Sequence, residues 1–326
     1  MTAYIIRRLL WMVPILFGVS VLTFTMLKNV PGDPIAKMVS SGRTGGTRMS
    51  QADRDRLEEQ YGLNKPIYVQ YVDWLNEVVH GNLGNSFKSN RPVLGLILDR
   101  LPNTLKLAGI SLFFTLLIAL PLGIVSAVKQ NTVVDYALTL FSFIGISIPS
   151  FWLALMILYV VGVDLHWLPT RGMRSIMLEP GAWNGFKDSL QHYILPVIAV
   201  TLIGLSGYMR FQRAAMLEVI GQDYIRTARA KGVPERTVIL KHAWRNALLP
   251  IVTLLGYVLV IMVEGSIVVE TIFTWPGMGL LAVDALTNKD YPLVMGVVLL
   301  SSLMIVFGTL LSDILYAVVD PRVRYD

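Results

Sequence analysis

The residues best suited to chemistry form a basic stretch at residues 210–245. Only three carboxylates oppose its cations, at Glu218, Asp223 and Glu235. Guanidinium and ammonium groups make strong hydrogen bonds to carboxylates, and no nucleophile–base pair accompanies them. The stretch therefore predicts a surface that docks an acidic partner. Its eight cations are Arg210, Arg213, Arg226, Arg229, Lys231, Arg236, Lys241 and Arg245.

Local signals divide this stretch into two short helices. Asp223 can cap the first helix, and Gly232 can end it, because glycine tolerates the left-handed conformation after a last turn. Pro234 suits the first turn of a second helix, where its missing N–H costs nothing. The pattern predicts a helix, a glycine hinge and a second helix at a membrane surface.

Motifs for catalysis and nucleotide binding are absent from the sequence. It contains no GxxxxGK[ST], GxSxG or HExxH, which argues against a nucleotide-binding or hydrolase role for this chain itself. It also contains no cysteine, and its four histidines are far apart. We therefore expect neither a disulfide nor a metal site.

The composition is that of a membrane protein. Of the 326 residues, 54% are hydrophobic and 15% are charged, and the mean hydropathy is +0.58. Soluble domains carry about 25% charged residues. The net charge of +6 could indicate nucleic-acid binding, but much of the excess lies in the basic stretch, where membrane topology explains it better.

Apolar runs predict an all-α integral membrane protein with six transmembrane helices. The first run has nineteen residues, long enough at about 29 Å to cross the hydrocarbon core. It ends in a lysine and a proline without a cleavage site, which indicates an uncleaved anchor. The predicted spans are residues 9–27, 105–128, 136–161, 193–209, 248–263 and 292–316.

A polar segment at residues 31–103 separates the first two spans. It is long enough for a small extracytoplasmic domain, with helices predicted from Ser50 to Tyr61 and from Pro66 onward. A third amphipathic piece at residues 92–101 could lie along the membrane interface. Either a structural role or partner docking would suit this segment.

The third and fourth spans contain features that affect helix packing. Pro149 breaks a backbone hydrogen bond in the third span, and Ser147 and Ser150 can help to satisfy the freed carbonyls. This break is either a packing kink or the mark of a helix that lines a pathway. In the fourth span, Gly204, Ser206 and Gly207 would allow neighbouring helices to approach closely.

The distribution of lysine and arginine predicts the orientation. Basic residues concentrate at the N-terminus, after the fourth span and at the C-terminus. The loop at residues 264–291 is acidic, through Glu264, Glu270, Asp284 and Asp290. Both termini are thus predicted to be cytoplasmic. The implied units are an N-terminal helix at 1–30, an extracytoplasmic segment at 31–103, a core at 104–316 with a cytoplasmic loop at 210–247, and a tail at 317–326.

Specific motifs along the whole chain resemble one family. RTARAKG at 226–232 followed by LKHAWRNALLP at 240–250 is similar to the EAA loop of ABC importer permeases of the oligopeptide/dipeptide branch. Arg226, Thr227 and Ala228 occupy the EAA positions, so the usual first acid is replaced, and Gly232 is the motif glycine. Further similar stretches occur in the same order: PGDP at 31, YGLNKP at 61, GNLGNSF at 81, RLPNTL at 100, SIPSFW at 147, ETIFTWPGMG at 270 and DPRVRY at 320.

This resemblance implies a type I importer core in a bacterial or archaeal cytoplasmic membrane. A second, related permease would pair with this chain, two ATPase subunits would bind ATP and Mg²⁺, and an extracytoplasmic binding protein would deliver peptides. The coupling loop would insert a short helix into an ATPase groove, with Ala228 facing that groove. The small Ala228 and Ala230 would permit close approach, and Arg226, Arg229 and Lys231 would pair with acids on the ATPase. The residues of the coupling loop would be Asp223, Tyr224, Arg226, Thr227, Ala228, Arg229, Ala230, Lys231 and Gly232.

Several alternatives remain open at this stage. The same architecture could import glutathione or a metal chelate. A self-contained channel or secondary transporter is a different class, although charges in the predicted spans are nearly missing and no inverted repeat is evident. Ser147, Pro149 and Ser150 are the candidate residues for lining the pathway.

Overall fold

Long helices dominate the computed structural model of the chain. The structure describes residues 2–29, 56, 64–175, 181–248, 251 and 266–319. Outside the described residues lie nearly all of the helix predicted at Ser50–Tyr61, nearly all of the fifth predicted span, Glu264 and residues 320–326. In chain order the helices are α1 (Thr2–Asn29), α2 (Ile67–Val79), α3 (Val93–Val128), α4 (Val133–Ser147), α5 (Ser150–Ile157), α6 (Ala182–Ile220), α7 (Asp223–Ala230), α8 (Glu235–Thr237), α9 (Trp244–Ala247), α10 (Ile267–Ile272), α11 (Met278–Thr287) and α12 (Tyr291–Val319).

Three of these helices are each long and apolar enough to cross a membrane: Val93–Val128, Trp183–Ile220 and Tyr291–Leu310. The α4–α5 pair passes the same test as one span that is broken, with a bend of 99°. In α1, the apolar part is the shorter segment Leu10–Met26. These helices account for the predicted spans within the described residues.

The break between α4 and α5 lies at Pro149, as predicted. α4 ends at Ser147, and Pro149 takes an extended conformation immediately before α5. Proline lacks the N–H that would continue the hydrogen-bond ladder, and it disfavours helical geometry in the preceding residue. The helix beyond continues in π-helical geometry over Leu158–Asp164.

The interfacial helix predicted at residues 92–101 is not a separate element. Residues 93–128 form one continuous helix that includes Pro102 and Pro121. The prediction was wrong because α11 and α12 bury the first turns of α3. Val93 and Ile97 pack there with Met278, Leu293 and Val297.

Small residues bring α3, α4 and α6 together. α3 and α6 make the most extensive helix contact. A Cβ at Gly123 of α3 would lie 2.8 Å from the carbonyl oxygen of Met209. A Cβ at Gly145 of α4 would collide with the Oγ of Ser206 on α6. Together with the approach of Gly204 to Thr115, these contacts confirm the predicted close packing at Gly204 and Ser206. At Gly207, no described atom lies within 4 Å of an added Cβ, so this residue makes no such approach.

Two carboxylates of the loop predicted to be acidic are buried. Glu270 accepts hydrogen bonds from the Thr104 hydroxyl at 2.8 Å and the Gly279 N–H at 2.7 Å. Burial raises the pKa of this carboxyl group above its usual value. Asp290 accepts from the Ser86 hydroxyl at 2.5 Å and the Phe87 N–H at 2.9 Å. Glu270 therefore ties α10 and α11 to α3, and Asp290 ties the turn before α12 to the segment before α3. Asp284 is exposed.

Candidate functional site

Helix α7 follows α6 after a connection of two residues, Gly221 and Gln222. Gln222 has extended backbone geometry and no side-chain cap, and Asp223 is the first helical residue. The prediction that Asp223 caps this helix was therefore wrong by one position. Its carboxylate still lies in the first turn, where the positive end of the helix dipole favours an anion.

Ile225 anchors α7 to the membrane domain. Its side chain has no solvent exposure, although it belongs to a helix that is otherwise polar. It packs in a cluster with Ala127 of α3, Met216 of α6 and Val238 just after α8. Ile225 therefore joins α7 directly to the ends of α3 and α6.

Ala228 is partly buried against the same cluster as Ile225. The prediction that Ala228 faces a partner was wrong, because residues 225 and 228 are three apart and share one face of a helix. Ala230 is exposed. Ala230 is thus the small side chain of α7 that is exposed to another protein.

Gly232 ends this helical unit in the predicted left-handed conformation, with φ of +74°. The Val233 N–H donates to the Ala228 carbonyl at 3.3 Å and the Gly232 N–H to the Arg229 carbonyl at 2.9 Å. Pro234 flanks α8 with an extended backbone, just before the first turn in which it was predicted. The chain therefore reverses sharply between α7 and α8.

Two side-chain contacts close this turn. Arg229 Nη2 lies 2.7 Å from Glu235 Oε1, and its hydrogen bonds lower the pKa of the Glu235 carboxyl group. Asn246 Nδ2 donates to the Tyr224 hydroxyl oxygen at 3.0 Å. Both contacts are solvent-exposed, so we expect each to contribute at most about 1 kcal/mol. These two contacts orient α7, whereas the buried side chain of Ile225 attaches the helix to the membrane domain.

The side of α7 that faces away from the membrane domain is exposed to solvent. Arg226 lies 3.6 Å from Asp223 at high exposure, and Thr227 and Lys231 are also exposed. The nine residues predicted for the loop thus form one compact unit with two faces. One face packs on the membrane domain through Ile225 and Ala228, and the other presents Arg226, Ala230 and Lys231.

An ion pair between a buried aspartate and a partly buried arginine lies near this unit and was not predicted. Arg213 of α6 forms two hydrogen bonds to Asp135 of α4, at 2.8 and 2.9 Å. Asp135 also accepts from the Ser126 hydroxyl of α3 at 2.5 Å and from the Asn131 N–H at 3.1 Å. Asp135 therefore joins α3, α4 and α6 at the end where α7 attaches.

A cavity of about 510 Å³ lies beside this ion pair between α4 and α6. Its wall includes Ser142, Phe143, Ile146 and Arg210, and the Arg210 guanidinium lies over the Phe143 ring at 5.5 Å. The three predicted pathway residues, Ser147, Pro149 and Ser150, do not line this cavity. Ser147 donates its hydroxyl to the Phe143 carbonyl at 2.8 Å. Their assignment to a pathway stays a prediction.

The fold and this loop define a class of protein. In its described residues the chain is helical, with helices long enough to span a membrane and, after one of them, a short docked helix and a glycine turn. This arrangement fits a permease with the type I ABC importer fold. A solved structure supports this fold: an inward-facing form of the MetNI methionine ABC transporter matches with a TM-score of 0.55, at 18% identity, over 70% of this chain and 97% of that one.

Sequence comparison places the chain within a particular family. Residues 119–325 match the binding-protein-dependent transport system inner membrane component family, and residues 1–108 match its N-terminal counterpart. The chain belongs to this family. It is 45% identical to the oligopeptide transport system permease protein AppB of Bacillus subtilis, over all of both chains. It is 38% identical to the dipeptide transport system permease protein DppB of Escherichia coli K12, over 100% of this chain and 99% of that one.

Proposed function

We propose that this chain is the peptide-translocating permease subunit of an ATP-driven importer that works by alternating access. The observation that carries this proposal is the docked helix α7, which has one face buried in the membrane domain and the other face open. The names of the full-length relatives, which transport oligopeptides and dipeptides, support peptides as the cargo.

The coupling role of α7 follows from its two faces. An ATPase subunit that bound the exposed face of α7, through Arg226, Ala230 and Lys231, would move the helix as a unit. Ile225 would pass that movement to α3 and α6, because close-packed contacts transmit displacement. The Asp135–Arg213 pair would carry it on to α4. Two ATPase subunits would bind the ATP and Mg²⁺, because this chain has no phosphate-binding loop.

The proposal includes further partners and an orientation. A second, related permease would complete the pathway, and a binding protein would deliver the peptide from outside. The chain would have six spans, with both termini and α7 in the cytoplasm of a bacterial or archaeal cell. The excess of cations in the basic stretch favours this orientation.

Single cysteines test the orientation, because the natural chain has none. Positions 130 and 231 are expected to face the cytoplasm, and positions 42 and 181 the outside. Asn184→Cys replaces a change at Gly181, whose φ of +145° would strain any other residue. An impermeant thiol reagent applied to intact cells should label positions 42 and 184 only. Labelling at 130 or 231 but not at 42 would overturn the orientation.

Reconstitution tests the function itself. Vesicles that contain this chain, its partner permease and both ATPase subunits should accumulate labelled peptide when binding protein, ATP and Mg²⁺ are present. Glutathione and a metal chelate serve as alternative cargoes. Peptide accumulation by this chain alone, without ATP, would refute the proposal in favour of a channel or secondary transporter.

A further inference from the structure

Helix α2 lies within the segment predicted to be extracytoplasmic, yet it packs against the apolar part of α1. The Phe24 ring centroid is 5.3 Å from that of Tyr71 and 5.9 Å from that of Trp74. The Ser20 hydroxyl forms a hydrogen bond with the Tyr71 hydroxyl at 2.8 Å. Lys28, just beyond the apolar run of α1, binds the Gln70 side chain.

These contacts set the depth of α2 relative to a membrane that α1 crosses. The apolar run of α1 ends at residue 27, and Ser20 is seven residues earlier. At a rise of 1.5 Å per residue, Ser20 lies about 10 Å inside the end of that run. The Tyr71 hydroxyl reaches this level, while Gln70 stays at the level of Lys28. Helix α2 is therefore placed at the membrane boundary, with the side chains of Tyr71 and Trp74 packed against the apolar part of α1.

The apolar surface of α2 extends beyond the part that α1 covers. Tyr68, Val72 and Val79 are 72%, 60% and 76% exposed. Their spacing of four and seven residues places them in one stripe, since 3.6 residues complete a turn. The stripe adjoins the face that contacts α1. On the other side of α2 lie the exposed acidic residues Asp73 and Glu77.

We propose that α2 is an interfacial helix whose stripe of Tyr68, Val72 and Val79 contacts the acyl chains of the adjacent lipid leaflet. The stripe continues the apolar surface of a membrane-crossing helix at the same depth. Amphipathic helices in this position bury their apolar side about 5–10 Å into the leaflet. Tyrosine and tryptophan, here Tyr68, Tyr71 and Trp74, are enriched at that level.

The position of α2 has a consequence for the outer segment. It ties the chain between α1 and α3 to the bilayer surface through Phe24 and the lipid. This anchoring does not depend on the cargo or on ATP. It concerns only how α1 crosses the membrane, so it can be correct even if the proposed function is wrong.

Spin labels test the proposal in the full chain reconstituted in vesicles of neutral phosphatidylcholine. Val72→Cys and Glu77→Cys, each carrying one nitroxide, form a matched pair on the two sides of α2, because five residues turn a helix by about 140°. Power saturation measures the collision of each label with oxygen, which concentrates in lipid, and with a water-soluble nickel chelate. We expect oxygen to dominate at position 72 and the nickel chelate at position 77.

Each other outcome contradicts the proposal. Access of the nickel chelate to position 72 would place α2 in an aqueous domain. Exclusion of both reagents from position 72 would show that protein covers the stripe, as a second copy of the chain would. If the label at position 72 displaces the helix, Val79→Cys gives an independent reading, because Val79 is the most exposed residue of the stripe.

Discussion

The substitution Ile225→Ala should detach α7 from the membrane domain without preventing the chain from folding. Ile225 is the one fully buried side chain of this eight-residue helix. Truncating a buried isoleucine to alanine costs about 2–5 kcal/mol, through lost transfer free energy and the cavity left behind. Since 1.36 kcal/mol corresponds to a factor of ten, the docked state should become less favoured by about 30-fold to several thousandfold.

Little else can retain α7 in place once this side chain is removed. Isolated helices shorter than about 12 residues are marginal in water. The Arg229–Glu235 and Asn246–Tyr224 contacts are exposed and weak. We therefore expect ATP hydrolysis to become uncoupled from peptide uptake in the reconstituted importer, while insertion of the chain is unchanged.

Two measurements check this prediction. Hydrogen exchange should show lost protection at residues 225–231, and uptake per ATP hydrolysed should fall. Ile225→Val is the matched control, with an expected cost of only about 0.5–1.5 kcal/mol and nearly normal uptake. Normal protection and normal uptake in Ile225→Ala would refute the conclusion that this side chain attaches α7.

Three further substitutions probe the surrounding structure. Gly232→Val should reduce uptake through backbone strain of about 1–3 kcal/mol, since no described atom lies within 4 Å of an added Cβ to cause a clash. Gly145→Ala should lower the melting temperature in detergent, because its methyl group meets the Ser206 hydroxyl and such overpacking costs about 1–3 kcal/mol. Asp135→Asn should destabilise the purified chain by about 1.5–3 kcal/mol, the range for hydrogen bonds to charged groups, by weakening its contacts with Arg213.

Each of these variants has a control. Gly232→Asn should retain most uptake, because asparagine tolerates the left-handed region. Adding Ser206→Gly to Gly145→Ala should restore the melting temperature of the wild type. A double variant that melts at the same lowered temperature as Gly145→Ala alone would argue against the helix contact. Glu218→Gln, an exposed change on α6, should leave stability unaltered. If Glu218→Gln lowers the stability as much as Asp135→Asn does, the weakened Asp135–Arg213 pair is not the cause of the destabilisation.

Features that depend on local geometry could be predicted from the sequence. Gly232 and Pro149 act through the backbone conformations that glycine and proline allow. Gly232 therefore predicted a left-handed turn, and Pro149 predicted a helix break. The lengths of the apolar runs likewise predicted spanning helices. The small residues of α6 predicted a close approach, although not that Gly145 and Thr115 are among the residues that come near.

Features that depend on tertiary contacts could not be predicted in the same way. Glu270 was interpreted as a charge of an acidic loop, and its burial follows from its contact with Thr104 on another helix. No local pattern marked Asp135 as the partner of Arg213. Ala228 was assigned to the wrong face because the position of Ile225 in the core was not recognised. A sequence signal for it did exist: Ile225 is the one large aliphatic residue in the polar run of residues 223–230.

The most direct test of the central claim is a cross-link from α7 to an ATPase subunit in the assembled importer. Ala230→Cys places a single thiol on the exposed face of α7. A short photoactivatable cross-linker attached there should join this chain covalently to an ATPase subunit, with a yield that changes when ATP is added. Asn184→Cys, on the opposite side of the membrane in the proposed orientation, should give no such product. Absence of the product from Ala230→Cys in an intact, active assembly would contradict the account.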